Sequence, residues 1–290
     1  MERPRWAARK LARMASPSVS VLLGPRVLGS LHEDARFSRE ELGEVRRRIA
    51  EEVAGGRLTL VVTGPLLDEL SAARAGDPSR YEDASRLLFT ARPDAPATRV
   101  LRSLPERVAL EIRCRGVAPR KLAFCTHAES AQVRRNTRKP KAVAAALRLA
   151  RHREAQIAAL TSAAQGATPP VGDEAIAETW CASDLRAFFA REGYGLSEIE
   201  ARWPAPREIP SLWHQRRFHV ACAKAALEAG SPLDPGVLDA THFEDAAYAQ
   251  VLVVADDAML SLASRAADPG RLAVVSFATW GRALLGAPGA

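Results

Sequence analysis

The chain has 290 residues, of which 47% are hydrophobic; Lys plus Arg number 41 against 34 Asp plus Glu, giving +7 and a pI near 9.7. That length suits one large or two ordinary domains, and the apolar fraction is that of a globular chain, not a fibrous or unfolded one. No apolar run reaches the length of a membrane span. Cys114, Cys125, Cys181 and Cys222 form no CxxC pair and no regular spacing, so neither a zinc site nor a disulfide framework is indicated. The basic balance favours an anionic partner, and the abundance of Ala and Arg suits a GC-rich bacterial genome.

Residues 1–16 form a basic, nearly acid-free arm without the apolar centre of a secretory signal, as expected of a cytoplasmic protein. Val19 to Leu23 reads as a first buried strand. Arg39 to Val53 reads as an amphipathic helix with Leu42, Val45 and Ile49 on one face, stopped by Gly55-Gly56. Leu58 to Val62 is a second strand. Thr63 then caps a helix with Pro65 in its first turn, which places Glu69 a turn further inside. Asp77 to Leu88 is a further helix, and Arg92 to Ala97 a Pro-containing loop. Val108 to Ile112 and Leu122 to Phe124 read as added strands.

No acid occurs between Glu129 and Glu154, a stretch that holds Arg134, Arg135, Arg138, Lys139, Lys141, Arg148, Arg151 and Arg153. Clustered cations without compensating acids are how phosphate backbones are met, each contact releasing counterions. No aromatic side chain lies inside the cluster to stack on bases. Residues 166–172 read as a linker, and Ala182 to Glu192 and Leu196 to Trp203 as short helices. Ser211 caps a helix over Leu212 to Leu227; its His214 and His219 are five apart, not the spacing of a helical metal pair. Leu272 to Phe277 is a last strand.

The stretch Asp239 to Leu260 is where the chemistry concentrates. Asp239 opens a helix carried by the Ala-rich run Ala246 to Ala249, and a carboxylate there is favoured by the helix dipole. The apolar run Val251 to Ala255 has strand length and ends at Asp256-Asp257, where open α/β sheets place their sites. A helix and its return strand would bring Asp239 and Asp257 back beside each other.

At these residues the chain resembles the PIN-domain family of metal-dependent nucleases, whose signature runs Asp, small-residue helix, apolar strand, Thr-x-Asp. Here that is Asp239, the Ala-rich helix, Leu252-Val253-Val254, then Ala255-Asp256-Asp257, with Ala255 in place of the hydroxyl residue. His242, one turn after Asp239, recurs in some members. Leu67-Asp68-Glu69-Leu70 matches the family's second acidic motif. Leu23-Gly24-Pro25-Arg26-Val27-Leu28 keeps the apolar frame of the first motif, with Gly24 where the acid belongs; Asp34 and Glu33 are the nearest substitutes.

The resemblance implies a three-layer α/β/α fold with a mainly parallel sheet. Its core comes from residues 17–98 and 205–290, interrupted by a basic, mostly helical insertion over 99–204. It implies hydrolysis of phosphodiester bonds, RNA more readily than DNA, with Mg or Mn held by Glu69, Asp239 and Asp257, and by Asp256 as a weaker ligand. Activity would be weak because of Gly24, and the alternative is a degenerate module that binds nucleic acid or protein without cutting. A protein partner such as an antitoxin, and a homodimer, are both compatible with the resemblance.

Overall fold

A computed structural model describes residues 18–24, 26–89, 98–137, 173–191, 206–229, 243, 245–255, 257–268 and 270–286. In chain order the elements are β1 (Val19–Leu23), α1 (Val27–Ser30), α2 (Arg39–Ala54), β2 (Leu58–Val62), α3 (Gly64–Gly76) and α4 (Pro78–Leu88). There follow β3 (Thr98–Val100), α5 (Leu104–Cys114), α6 (Arg120–Ala123), α7 (His127–Thr137), α8 (Asp173–Arg191) and α9 (Pro210–Ala229). The chain closes with β4 (Val251–Val254), α10 (Asp257–Ala266), β5 (Ala273–Ser276) and α11 (Phe277–Leu284).

The strands form one parallel sheet in the order β3-β2-β1-β4-β5. The first three strands step outward in one direction, and the chain then returns to the other side of β1. The reversal between β1 and β4 is a topological switch point, and loops at the carboxyl ends of those strands open a crevice there. Because β1, β2 and β4 are buried on both faces, they read as continuous apolar runs instead of alternating ones.

Alternate strand residues feed two cores. Val21, Leu23, Leu60, Val62, Val251 and Val253 pack against Leu42, Val45, Ile49, Leu66, Leu70 and Trp280 of α2, α3 and α11. On the other face Leu22, Val61, Leu252 and Val254 meet Phe218 of α9 and Met259 and Leu262 of α10. The result is three layers, α/β/α, as the sequence implies. A small third core, Val108, Cys181, Leu185, Ile209 and Leu212, joins α5, α8 and α9.

Local signals explain the helix starts. Ser38 and Glu41 form a reciprocal capping box on α2, Ser38 Oγ accepting from Glu41 N at 3.1 Å and Glu41 accepting from Ser38 N at 2.7 Å. Thr63 caps α3 and Asp77 caps α4 through Ser79 N and Arg80 N.

Three expectations are corrected. Val108 to Ile112 is not a strand but the middle of α5. The Glu106 carboxylate accepts from Ser103 N and Oγ, and Arg107, Val108 and Glu111 are buried at helical spacing. Leu122 to Phe124 closes the one-turn helix α6, leaving only a bridge between Phe124 and Leu101. The Ala-rich run forms a single 3-10 turn, Ala246–Tyr248, and the chain is extended by Ala249. There the buried side chains of Phe243, Asp245 and Tyr248 anchor the segment individually. The helix of Pro210–Ala229 begins before Ser211, whose side chain turns inward, and α8 starts well before Ala182. The linker at 166–172, the helix expected over 196–203, and the basic arm 1–16 lie outside the described residues.

Candidate site at the carboxyl edge of the sheet

Five parallel strands end on one edge, and three of them govern the candidate site. From β1 the chain enters Gly24, whose N–H donates to the Val253 carbonyl at 2.7 Å. A β-carbon at Gly24 would stand 2.8 Å from that same carbonyl oxygen and 3.4 Å from Val254 Cγ1. Main chain of β4 therefore fills the space that a side chain at Gly24 would need. Arg26 follows in the left-handed region (φ 62°) and is exposed, a conformation that costs an ordinary side chain about 1 kcal/mol or more.

The two substitutes for the first acid are both engaged elsewhere. Asp34 accepts from Arg36 Nε at 2.8 Å and Nη2 at 2.6 Å, and the Arg36 hydrogen bonds hold its carboxyl below the usual aspartate range. Arg36 Nη2 also donates to Ala255 O at 2.9 Å, so this loop does fold back over the end of β4. It delivers a guanidinium there, with the Asp34 charge already neutralised. Glu33 pairs with Arg80 at 2.8 Å.

Glu69 lies in the second turn of α3, on the helix that leaves β2, and is half-buried. Asp257 is the first residue of α10, on the helix that leaves β4, and is exposed. The sheet topology sets both helix starts at the same edge, one on each side of β1. Adjacent strands lie about 4.8 Å apart, so β2 and β4 are separated by roughly 10 Å. Asp239 and Asp256 lie outside the described residues. Among the described residues no group of three His, Cys, Asp or Glu side chains gathers where a metal ion could be held. Of the carboxylates that the resemblance names, the described residues include Glu69 and Asp257, and neither Asp34 nor Glu33 of the loop after β1 is free to join them.

The basic cluster is described only at its start. Arg134, on α7, lays its guanidinium 5.3 Å from the Phe89 ring centroid, a cation–π contact that serves packing. Arg135 is exposed and donates to Gln132 Oε1 at 2.7 Å. Arg138, Lys139, Lys141, Arg148 and Arg151 lie outside the described residues.

A cleft of about 360 Å³ opens beside α3, lined by Leu67, Leu101, Arg102, Cys125, Glu129 and Val133. It sits at the carboxyl ends of β2 and β3. Arg102 spans it in a two-toothed pair with Glu129 at 3.2 Å, and burial raises the Cys125 thiol above its ordinary range.

Behind the cleft lies a buried polar network that sequence reasoning missed. Arg107 and Asp245 pair with essentially no exposure. One helical turn along α5, Glu111 accepts from Ser211 Oγ at 2.7 Å, Ser211 N at 3.1 Å and Tyr248 Oη at 2.7 Å. Burial pushes the Glu111 carboxyl up, opposed by those hydrogen bonds, and burial followed by the Glu111 charge pushes the Tyr248 phenol up. This network ties α5, α9 and the segment leading into β4 together. Its only signal in the sequence is an i, i+4 Arg107–Glu111 pair and the acidic Glu244-Asp245 between Phe243 and the Ala-rich run.

Histidines 214 and 219 of α9 are held neutral. Burial, then the Arg217 charge, lowers His214 to about 4, and burial with Arg216 lowers His219 to about 3. Among the described residues, no helix is long and apolar enough to cross a membrane. Comparison of the chain with family models, with curated proteins and with solved structures returns no match.

Proposed function

We propose that this chain is a PIN-like phosphodiesterase of low metal affinity, acting on nucleic acid and on RNA in preference to DNA. The observation that carries the reading is topological. The helices bearing Glu69 and Asp257 leave β2 and β4 at the same sheet edge, flanking β1 at a switch point. In this reading Glu69, Asp239 and Asp257 supply oxygens to Mg or Mn, with Asp256 beside them, and the ion activates water and neutralises phosphate charge.

A second reading has its own support: a PIN-like module that binds nucleic acid or protein without cutting. Val253 O occupies the space that a side chain at Gly24 would need and Arg36 neutralises Asp34, so the site has fewer oxygens than a divalent ion needs. One experiment separates the two. Labelled RNA and DNA are incubated with Mg²⁺ or Mn²⁺ and wild-type, Glu69→Gln or Asp257→Asn protein, and Mn²⁺ binding is followed by calorimetry. Slow metal-dependent cleavage lost in both variants supports the phosphodiesterase. No cleavage and no metal binding at millimolar concentration gives the non-cutting module. Cleavage unchanged in both variants refutes the site.

A further inference from the structure

A second surface stands apart from the carboxyl edge. From Ile112 to Ala128 the chain has no acid. The end of α5, the turn after it and the start of α6 carry Arg113, Arg115, Arg120 and Lys121, all exposed. The large hydrophobics that stand exposed among the described residues, Val117 at 46% and Leu122 at 43%, lie within this same stretch. Cations and apolar side chains are thus interspersed along one acid-free exposed strip, which buried Ala118 and Ala123 anchor.

Two contacts fix where the strip sits. Arg120 Nη2 donates to Ser20 Oγ at 2.8 Å, and Ala118 N donates to Tyr248 Oη at 3.4 Å. Ser20 is near the start of β1, and Tyr248 lies three residues before β4. The start of the strip is therefore at the amino edge, roughly 15 Å, one strand length, from the carboxyl edge. Leu122 and Phe124 then carry the chain back toward Leu101 at the end of β3, since Leu122 O accepts from Arg102 Nε at 2.9 Å and Phe124 bridges Leu101.

We infer that this strip is a binding surface for single-stranded nucleic acid, separate from the candidate catalytic edge. Arg113, Arg115 and Lys121 meet successive phosphates. Val117 and Leu122 lie against the apolar faces of unstacked bases, which a duplex would keep hidden. Arg115 is held at φ 51° as the residue that ends α5, and its backbone N–H is already bonded to Ile112 O. Recognition here is by charge and apolar face, so it carries no base sequence. A strand bound along the strip runs from the amino edge toward β3, which directs its far end to the catalytic edge.

The inference does not rest on the phosphodiesterase reading, because binding is measured with EDTA present. Fluorescence anisotropy follows a labelled oligouridylate long enough to span both edges, over a range of salt. Single strands lose affinity with a logarithmic salt slope of about 0.7 per phosphate contact. The variant Arg113→Ser/Arg115→Asn/Lys121→Ser is therefore expected to flatten the slope by about 2. Val117→Ser/Leu122→Ser is expected to weaken binding about fivefold with the slope kept, as loss of partial apolar burial implies. Arg120 is left intact because it braces Ser20, and unchanged melting of each variant shows that the fold is kept. Wild-type affinity and slope in the triple variant would overturn the inference, as would full affinity in the apolar pair. Displacement of the oligouridylate by polyglutamate at equal charge concentration would also overturn it, making the strip a site for acidic protein.

Discussion

Substituting Gly24 by alanine tests whether the first acid is absent by packing. The added β-carbon would stand 2.8 Å from Val253 O, against ordinary contacts of 3.4 Å or more. That oxygen cannot swing aside, because it is main chain and accepts the Gly24 N–H at 2.7 Å. Relief requires β1 and β4 to part by several tenths of an ångström, where Leu22 and Leu252 stand directly opposite. Overpacking of this kind costs about 1–3 kcal/mol, reduced by about 0.4–1 kcal/mol because alanine restricts the unfolded chain. Gly24→Ala is expected to destabilise by about 1–2 kcal/mol, lowering Tm by about 2–4 °C per kcal/mol. Gly43→Ala is the control: it lies inside α2 with nothing within 4 Å of its added carbon. It is expected to stabilise by about 0.5–1 kcal/mol through helix propensity. Urea unfolding of the three proteins reads both effects. A Gly24→Ala protein as stable as wild type, beside a stabilised Gly43→Ala, would show that the contact is not a constraint. Gly24→Asp carries the same obstruction plus a charge, so it should loosen the sheet before it gains a metal.

Breaking the buried Arg107–Asp245 pair from one side, by Arg107→Ala or Asp245→Ala, should cost about 3–5 kcal/mol because the remaining charge is stranded. Arg107→Met with Asp245→Leu should restore much of it, and chemical denaturation in which the double variant is less stable than either single one would reject the pairing. Acid should weaken the fold before its carboxylates titrate. His214 falls to about 4 in the fold, so between its ordinary value near 6.5 and about 4 the unfolded chain binds the extra proton. The contribution of His214 is then complete above about 6.5 and falls as pH drops through that window, by about 3.5 kcal/mol at about 1.4 kcal/mol per unit. Carboxylates held low by arginines, such as Asp34 and Glu52, act below that window. Raised Glu111 acts in the opposite direction, protonating more readily folded than unfolded. His214→Leu should remove about half of the slope between pH 6.5 and 4, the rest belonging to His219, which burial lowers to about 3, and an unaltered slope would assign the acid sensitivity to another group.

Strands β1, β2, β4 and β5 and helices α2, α3 and α4 were legible because their causes are local: apolar runs bounded by caps such as Thr63 and Asp77. The failures are where distant partners decide. Val108-Ala109-Leu110-Glu111-Ile112 is a short apolar run of strand length, yet Arg107 and Glu111 find their partners in Asp245, Ser211 and Tyr248, about a hundred residues or more away. Only a helix brings Arg107 and Glu111 to one buried side. The capping residues Ser103 and Glu106 were visible, and they outweigh a five-residue apolar run. The Ala-rich run before β4 failed for the opposite reason. Alanine favours a helix on its own, but Phe243, Asp245 and Tyr248 each have a fixed tertiary seat, and these seats override propensity.

The same distinction separates what is known of the site's position from its chemistry. A chain that steps from β1 to β3 and returns beside β1 must leave a crevice between β1 and β4, whatever residues line it. Position therefore follows from topology, and Glu69 and Asp257 inherit their edge from the strands they follow. Chemistry depends on single atoms that sequence does not locate. Gly24 reads as a lost acid until Val253 O is seen where its side chain would stand, and Asp34 reads as a spare carboxylate until Arg36 is seen holding it. Arg36 also bonds Ala255 O, so the loop that could have supplied an anion instead sets a guanidinium at the end of β4. The β1 side of the crevice thus presents a closed ion pair with no net charge, and a divalent ion would be held from the β2 and β4 sides alone. The closed Arg36–Asp34 pair offers neither a free carboxylate to a metal nor a free cation to a phosphate, so binding and cleavage at this edge have to be measured separately.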